Sequence, residues 1–189
     1  MKSYLGWKID YGGPLGEPAL HAPDSVQWRI FKNQVALGIG GVAAVLMEFA
    51  DPRIRSGVWD HSTYKADPIG RSMRTGVAAM VGCYGPESAA RRVIQGVTRM
   101  HAQVEGATPS GETYRALDTE LLDWVAATAG YGFLTAYMQF VAPLSPADML
   151  RAGNPDPDRF RHPRTGDSMV RMAKNMVKNK PALEQQAAV

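Results

Sequence analysis

Glu87-Ser-Ala-Ala-Arg-Arg-Val-Ile-Gln-Gly-Val-Thr-Arg-Met-His101-Ala-Gln-Val104 is the stretch that decides the fold. Its residues Ala89, Ala90, Val93, Ile94, Val97, Met100, His101 and Val104 recur at spacings of three and four, the period of one face of an α-helix. Pro86 opens it and Gly106 is the expected stop, so the stretch is a helix whose apolar stripe carries His101 beside a core.

The same period extends in both directions. Asp24-Ser25 is an N-cap signal, and a helical pattern runs from Val26 to Phe49, stopping before Asp51-Pro52 because proline disfavours helix in its predecessor. A connector with a helical turn leads to Asp67, and Pro68 suits the first turn of a helix reaching about Val81. Residues 107–116 are a polar loop, and Asp118-Thr-Glu120 starts a long helix to about Val141, ended by Pro143 and Pro146. A last helix, 167–178, carries Met169, Val170, Ala173, Met176 and Val177 on one face. No alternating apolar run indicates a strand, so the class is all-α.

Composition bounds the rest. A chain of 189 residues, 45% of them apolar, buries one substantial core. Residues 1–24 are rich in Gly and Pro and form an irregular arm, residues 25–148 the helical domain, and residues 149–189 a basic linker and C-terminal helix. The net charge of +3 is too mild to indicate nucleic acid. Cys83 is the lone cysteine, which excludes an intrachain disulfide or a cysteine zinc site. The N-terminus has no apolar leader segment, and the longest uncharged apolar run, Val35 to Met47, is well short of the roughly 20 residues that cross a bilayer. The expectation is a cytoplasmic protein without a transmembrane span.

Arg71-Ser-Met-Arg74-Thr75 places two guanidinium groups and a hydroxyl at i, i+3 and i+4, on one helical face where they can converge on an anion. A histidine opposite two arginines suits haem, with imidazole to iron and guanidinium to the propionate carboxylates. The plainer reading, a partly exposed histidine and a solvated cationic face, stands beside it.

The words Glu48-Phe-Ala-Asp-Pro-Arg-Ile-Arg-Ser-Gly-Val-Trp-Asp-His-Ser62, Ala66-Asp-Pro-Ile-Gly-Arg-Ser-Met-Arg-Thr75, Arg99-Met-His101, Leu121-Leu-Asp-Trp-Val125 and Phe140-Val-Ala-Pro-Leu-Ser-Pro146, in this order and spacing, resemble the catalytic domain of the rubber-oxygenase superfamily. The superfamily includes latex-clearing oxygenases and the membrane-bound oxygenase of mycophenolate biosynthesis. The resemblance implies a globin-like helical domain of six to eight helices with a haem b (iron) site. It implies His101 as proximal metal ligand and Arg71, Arg74 and Thr75 as cofactor-binding residues, Thr75 also placed for catalysis. Where many relatives read Ala-His-Pro this chain has Ala50-Asp51-Pro52, and where many read Trp-Val-His-Ala-Thr it has Trp124-Val-Ala126-Ala-Thr128. Asp51 retains a carboxylate for catalysis at the first place, whereas Ala126 cannot handle a proton.

Other motifs carry less. Gly38-Ile-Gly40-Gly41-Val-Ala43 matches a dinucleotide fingerprint but lies inside a helical pattern, where its small residues serve close approach of another helix or a flat porphyrin. His61 beside Asp60 lacks a second histidine at ligand spacing and is the reserve candidate for the iron. Met73, Met80, Met100 and Met138 are expected core filler, as are Phe133, Tyr137 and Phe140. The expected function is a haem b-dependent oxidoreductase or oxygenase acting on a hydrophobic substrate; the alternative is a non-catalytic haem-binding or structural subunit. Relatives usually continue beyond the Pro-Leu-Ser-Pro word with further helices, so a homo-oligomer or a partner subunit is expected to cover the core, through the basic, methionine-bearing last helix.

Overall fold

The computed structural model describes residues 2–4, 7–9 and 14–153. Among them are seven helices, α1 (Val26–Phe31), α2 (Gln34–Glu48), α3 (Pro52–His61), α4 (Pro68–Tyr84), α5 (Glu87–His101), α6 (Thr119–Phe140) and α7 (Pro146–Gly153), and two antiparallel hairpins, β1 (Lys2–Tyr4) with β2 (Trp7–Ile9) and β3 (Glu105–Ala107) with β4 (Thr113–Arg115). The fold is mostly α, as the periodicity predicts, and the hairpins are its departure from all-α. The expected helix at 167–178 lies outside the described residues.

Local chemistry explains where elements start and stop. Ser25 caps α1 by accepting from the Trp28 amide at 3.3 Å. The single helix expected over residues 26–49 is two, because Asn33 is extended and its side chain accepts from the Ala36 amide at 3.0 Å, ending α1 and starting α2. Asp51-Pro52, expected to close one helix, also opens the next: Asp51 accepts from the Arg53 amide and Pro52 occupies the first turn of α3. Asp67-Pro68 repeats the device at α4, with Asp67 accepting from Gly70. Helix α5 stops at His101, short of Gly106, because Glu105, Gly106 and Ala107 pair with Arg115, Tyr114 and Thr113. Gly111 turns that hairpin with a φ of 87°, a left-handed conformation that glycine adopts without strain.

Helices α2 and α6 pack antiparallel through a row of small residues. Ala36 meets Tyr137, Gly40 meets Phe133, and Ala44 meets Gly132. A Cβ built on Gly40 would lie 2.8 Å from Phe133 Cα, and one on Gly132 2.7 Å from the Gly40 carbonyl oxygen. Helices α4 and α5 form a second pair around Val81, Ala89 and Val93. Helix α1 touches both pairs: Val26 and Ile30 join Ala36 and Tyr137, while Tyr84 donates to the Trp28 carbonyl and sets its ring edge-on to the indole at 4.9 Å. Asp148 on α7 accepts from Arg29 on α1 at 3.0 Å. The segment before α1 is anchored too, with Glu17 accepting from the Ser88 amide and hydroxyl at the start of α5. Tyr114 of the β3–β4 hairpin is buried against Gly57 of α3.

Helix α2 is apolar on its outward side as well, where Val42 is 63% and Leu46 68% exposed. No single described helix is long and apolar enough to cross a membrane; α2 and α3 pass together by length and composition but are bent by 109°. The end of the α5 stripe also turns outward, Ile94 being 50% and Met100 57% exposed, so Met100, like the exposed Met73 and Phe140, is not the core filler expected.

Gly40→Ala should destabilise the fold by about 1–3 kcal/mol, since the new methyl meets Phe133 backbone that cannot step aside. Gly38→Ala, with open space around it, should stabilise or be neutral. Urea unfolding of the two variants checks the contrast, and equal midpoints would show that the helices do not meet at Gly40.

Candidate functional site

His101 closes α5, half-buried, and its ring makes no hydrogen bond among the described residues. Burial lowers its pKa and the nearby Arg71 guanidinium lowers it further, so the imidazole is neutral at physiological pH, with a free nitrogen lone pair. Arg71 stands in the first turns of α4, also half-buried, and its guanidinium has no hydrogen-bond or ion-pair partner among the described residues. A partly desolvated guanidinium with no hydrogen-bonded carboxylate retains its donors for one that enters.

A third group completes this cluster. Glu48 ends α2, and burial pushes its carboxyl up to about 7 against the opposing pull of Arg71. The sequence reading did not single it out. The available signal was its position: it is the first charge after Lys32 and continues the Ala36, Gly40, Ala44 row by one more step of four. A carboxyl at the end of an uncharged helix is either at an exposed cap or in a site, and burial distinguishes the two.

The remaining expected residues sit apart from this trio or are engaged. Arg74 donates to the Thr63 hydroxyl and lies 3.6 Å from Asp67, both on the connector between α3 and α4. Thr75 is exposed and donates to the Arg71 carbonyl at 3.1 Å. Asp51 is buried, with one oxygen accepting from the Arg53 amide and Nε and the other from Nη2 at 2.7 Å. Arg53 also lies 3.7 Å from Glu112 and 3.4 Å from Glu120; its hydrogen bond to Asp51, first, and its contact with Glu120 hold its pKa above the ordinary arginine range against the effect of burial. His61 is exposed and edge-on to Tyr114. No three His, Cys, Asp or Glu side chains converge on a metal position among the described residues. The cluster thus offers one neutral imidazole, one free cation and one carboxyl that titrates near neutrality.

The Glu48 carboxyl should titrate with a midpoint near 7 in a ¹³C NMR pH series, and Arg71→Gln should move it higher by removing the opposing charge. Because the folded value lies above the unfolded one, the stability Glu48 contributes is present below pH about 4.5 and is lost as the pH rises through 7. Glu48→Gln should flatten that part of the stability profile; a Glu48 midpoint near 4.5 would show that the carboxyl is solvated.

The family model described as "ER-bound oxygenase mpaB/B'/Rubber oxygenase, catalytic domain" matches residues 28–152, about two thirds of the chain, and takes in Glu48, Arg71 and His101. No curated protein and no solved structure gives a match. The chain belongs to the mpaB and rubber-oxygenase catalytic-domain family, a family of oxygenases.

Proposed function

We propose that this oxygenase-family chain binds haem b through His101 and acts on a hydrophobic substrate. The observation that carries the reading is an imidazole without a hydrogen bond near a guanidinium that has no hydrogen-bond or ion-pair partner among the described residues. These are the two protein groups that the cofactor requires, a nitrogen for iron and a cation for a propionate.

In this reading His101 would hold the iron through a ring nitrogen lone pair. Arg71 would hold the cofactor by a charge-assisted hydrogen bond to one of its carboxylates. Thr75 supports Arg71 from the next turn, its hydroxyl on the Arg71 carbonyl. Bound haem supplies the dioxygen chemistry. Glu48, whose carboxyl is raised to about 7, can hold or release a proton at its carboxylate oxygen. Oxidation of an apolar substrate needs water kept from the reacting carbon, which accords with the uncharged length of α2 leading to Glu48. One observation favours the non-catalytic alternative: both oxygens of Asp51 are hydrogen-bonded to Arg53, which commits this carboxylate to a structural contact.

Haemin added to the purified protein should give a Soret band that His101→Ala abolishes while far-UV circular dichroism is unchanged. Arg71→Gln should weaken haemin binding by about tenfold, as expected for one charge-assisted bond. Stoichiometric haemin with an unaltered spectrum in the His101 variant would end the assignment. A Soret band without dioxygen consumption across a panel of isoprenoids would select the non-catalytic subunit.

A further inference from the structure

The two arginines expected to act together on the α4 face have different surroundings. Arg71 is free, whereas Arg74 reaches across to the α3–α4 connector, residues 62–67, donating to Thr63 Oγ1 and pairing with Asp67. Each of these partners is itself fixed. The Thr63 carbonyl accepts from the Ala66 amide at 3.1 Å and the Asp67 amide at 2.8 Å, and Asp67 caps α4 through Gly70. Ser62 accepts from the Tyr64 amide, so the connector is a closed set of turns braced from α4 by one guanidinium. It carries Tyr64, whose ring packs edge-on to Phe49 at 5.3 Å and near Trp59 at 6.4 Å, with Lys65 over the Trp59 ring. Phe49 follows Glu48 and caps α2, so this aromatic group stands at the end of α2.

We propose that Arg74 is a positioning residue for the connector, holding the Tyr64, Phe49 and Trp59 wall beside Glu48, instead of a partner for the cofactor's carboxylates. That the wall faces substrate rests on the function proposed above; that Arg74 braces the connector does not. An arginine suits the task because its fork can serve a hydroxyl and a carboxylate at once, which a lysine ammonium does less well.

Hydrogen exchange on the full-length protein without added haemin tests the brace. Arg74→Gln and Thr63→Val should each speed exchange of the Ala66 and Asp67 amides by about threefold, the size expected of a partly exposed polar contact. The double variant should go no further, and Thr63→Ser, which restores the acceptor oxygen, should exchange as the wild type does. Trp59 emission, isolated by difference from Trp59→Phe, should shift in the same variants and return with Thr63→Ser. In haemin titrations Arg74→Gln should stay within about twofold of wild type, against about tenfold weakening for Arg71→Gln. Unchanged exchange in Arg74→Gln overturns the proposal, as do additive effects in the double variant. So does haemin binding weakened by Arg74→Gln but not by Thr63→Val. If the wild type binds no haemin, the haem reading fails and the exchange and emission results decide the brace alone.

Discussion

Gly40 and Gly132 approach so closely that neither position has room for a Cβ, and most of what surrounds the site follows from that contact. With backbone against backbone, α2 and α6 gain many dispersion contacts along a row of Ala and Gly, residues that lose no side-chain entropy on packing. The contact also fixes register. Once Gly40 is opposite Phe133, the antiparallel sense brings the end of α2 to the start of α6, where Arg53 meets Glu120. Glu48, two turns beyond Gly40 on the same row, is thereby carried inward instead of ending α2 in solvent.

Within the site the decisive competition is between desolvation and a single charge. Burial alone pushes the Glu48 carboxyl up and the His101 imidazole down, so each tends to its neutral form. Arg71 acts on both in the same direction, disfavouring a proton on either, but it opposes burial at Glu48 and reinforces it at His101. The outcome is a carboxyl raised to about 7 and an imidazole whose pKa is lowered, favouring its unprotonated form. One cation thus separates the roles of two titratable groups: the carboxyl can exchange protons, and the imidazole can donate electrons.

How much of this was legible in the sequence depends on the range of each interaction. Asp51-Pro52 and Asp67-Pro68 place helix starts because cap and first turn are contiguous, although only the second was read as a start; a proline after an apparent helix end fits a stop equally well. His101 could be placed on a helical face by period alone, but its position at the helix end depends on the hairpin that follows, and that hairpin is held by pairing with residues up to Arg115. The break at Asn33 was hidden because the apolar period crosses it without a fault; only the side-chain bond to Ala36 shows it. Arg74 illustrates the limit of spacing arguments. The i, i+3 rule puts it on the same face as Arg71, but a long side chain chooses partners by reach, and its partner Thr63 is eleven residues back.

Asp51 makes the same point about chemistry. It replaces a histidine common among relatives, and a buried carboxylate there suggests a proton-handling group. Its surroundings assign it differently: three donors from Arg53 occupy its two oxygens, and Arg53 in turn faces Glu112 on the hairpin and Glu120 on α6. A buried carboxylate in such company is held in place, because moving it would leave the Arg53 guanidinium short of a partner. The group therefore ties α3, the hairpin and α6 around the site instead of exchanging protons within it. Glu48 differs from Asp51 in its surroundings: its carboxyl has no hydrogen bond among the described residues, and burial raises it to about 7. Of the two carboxyls, the one held by three donors is a tie between elements, and the one held by none is free to change its protonation.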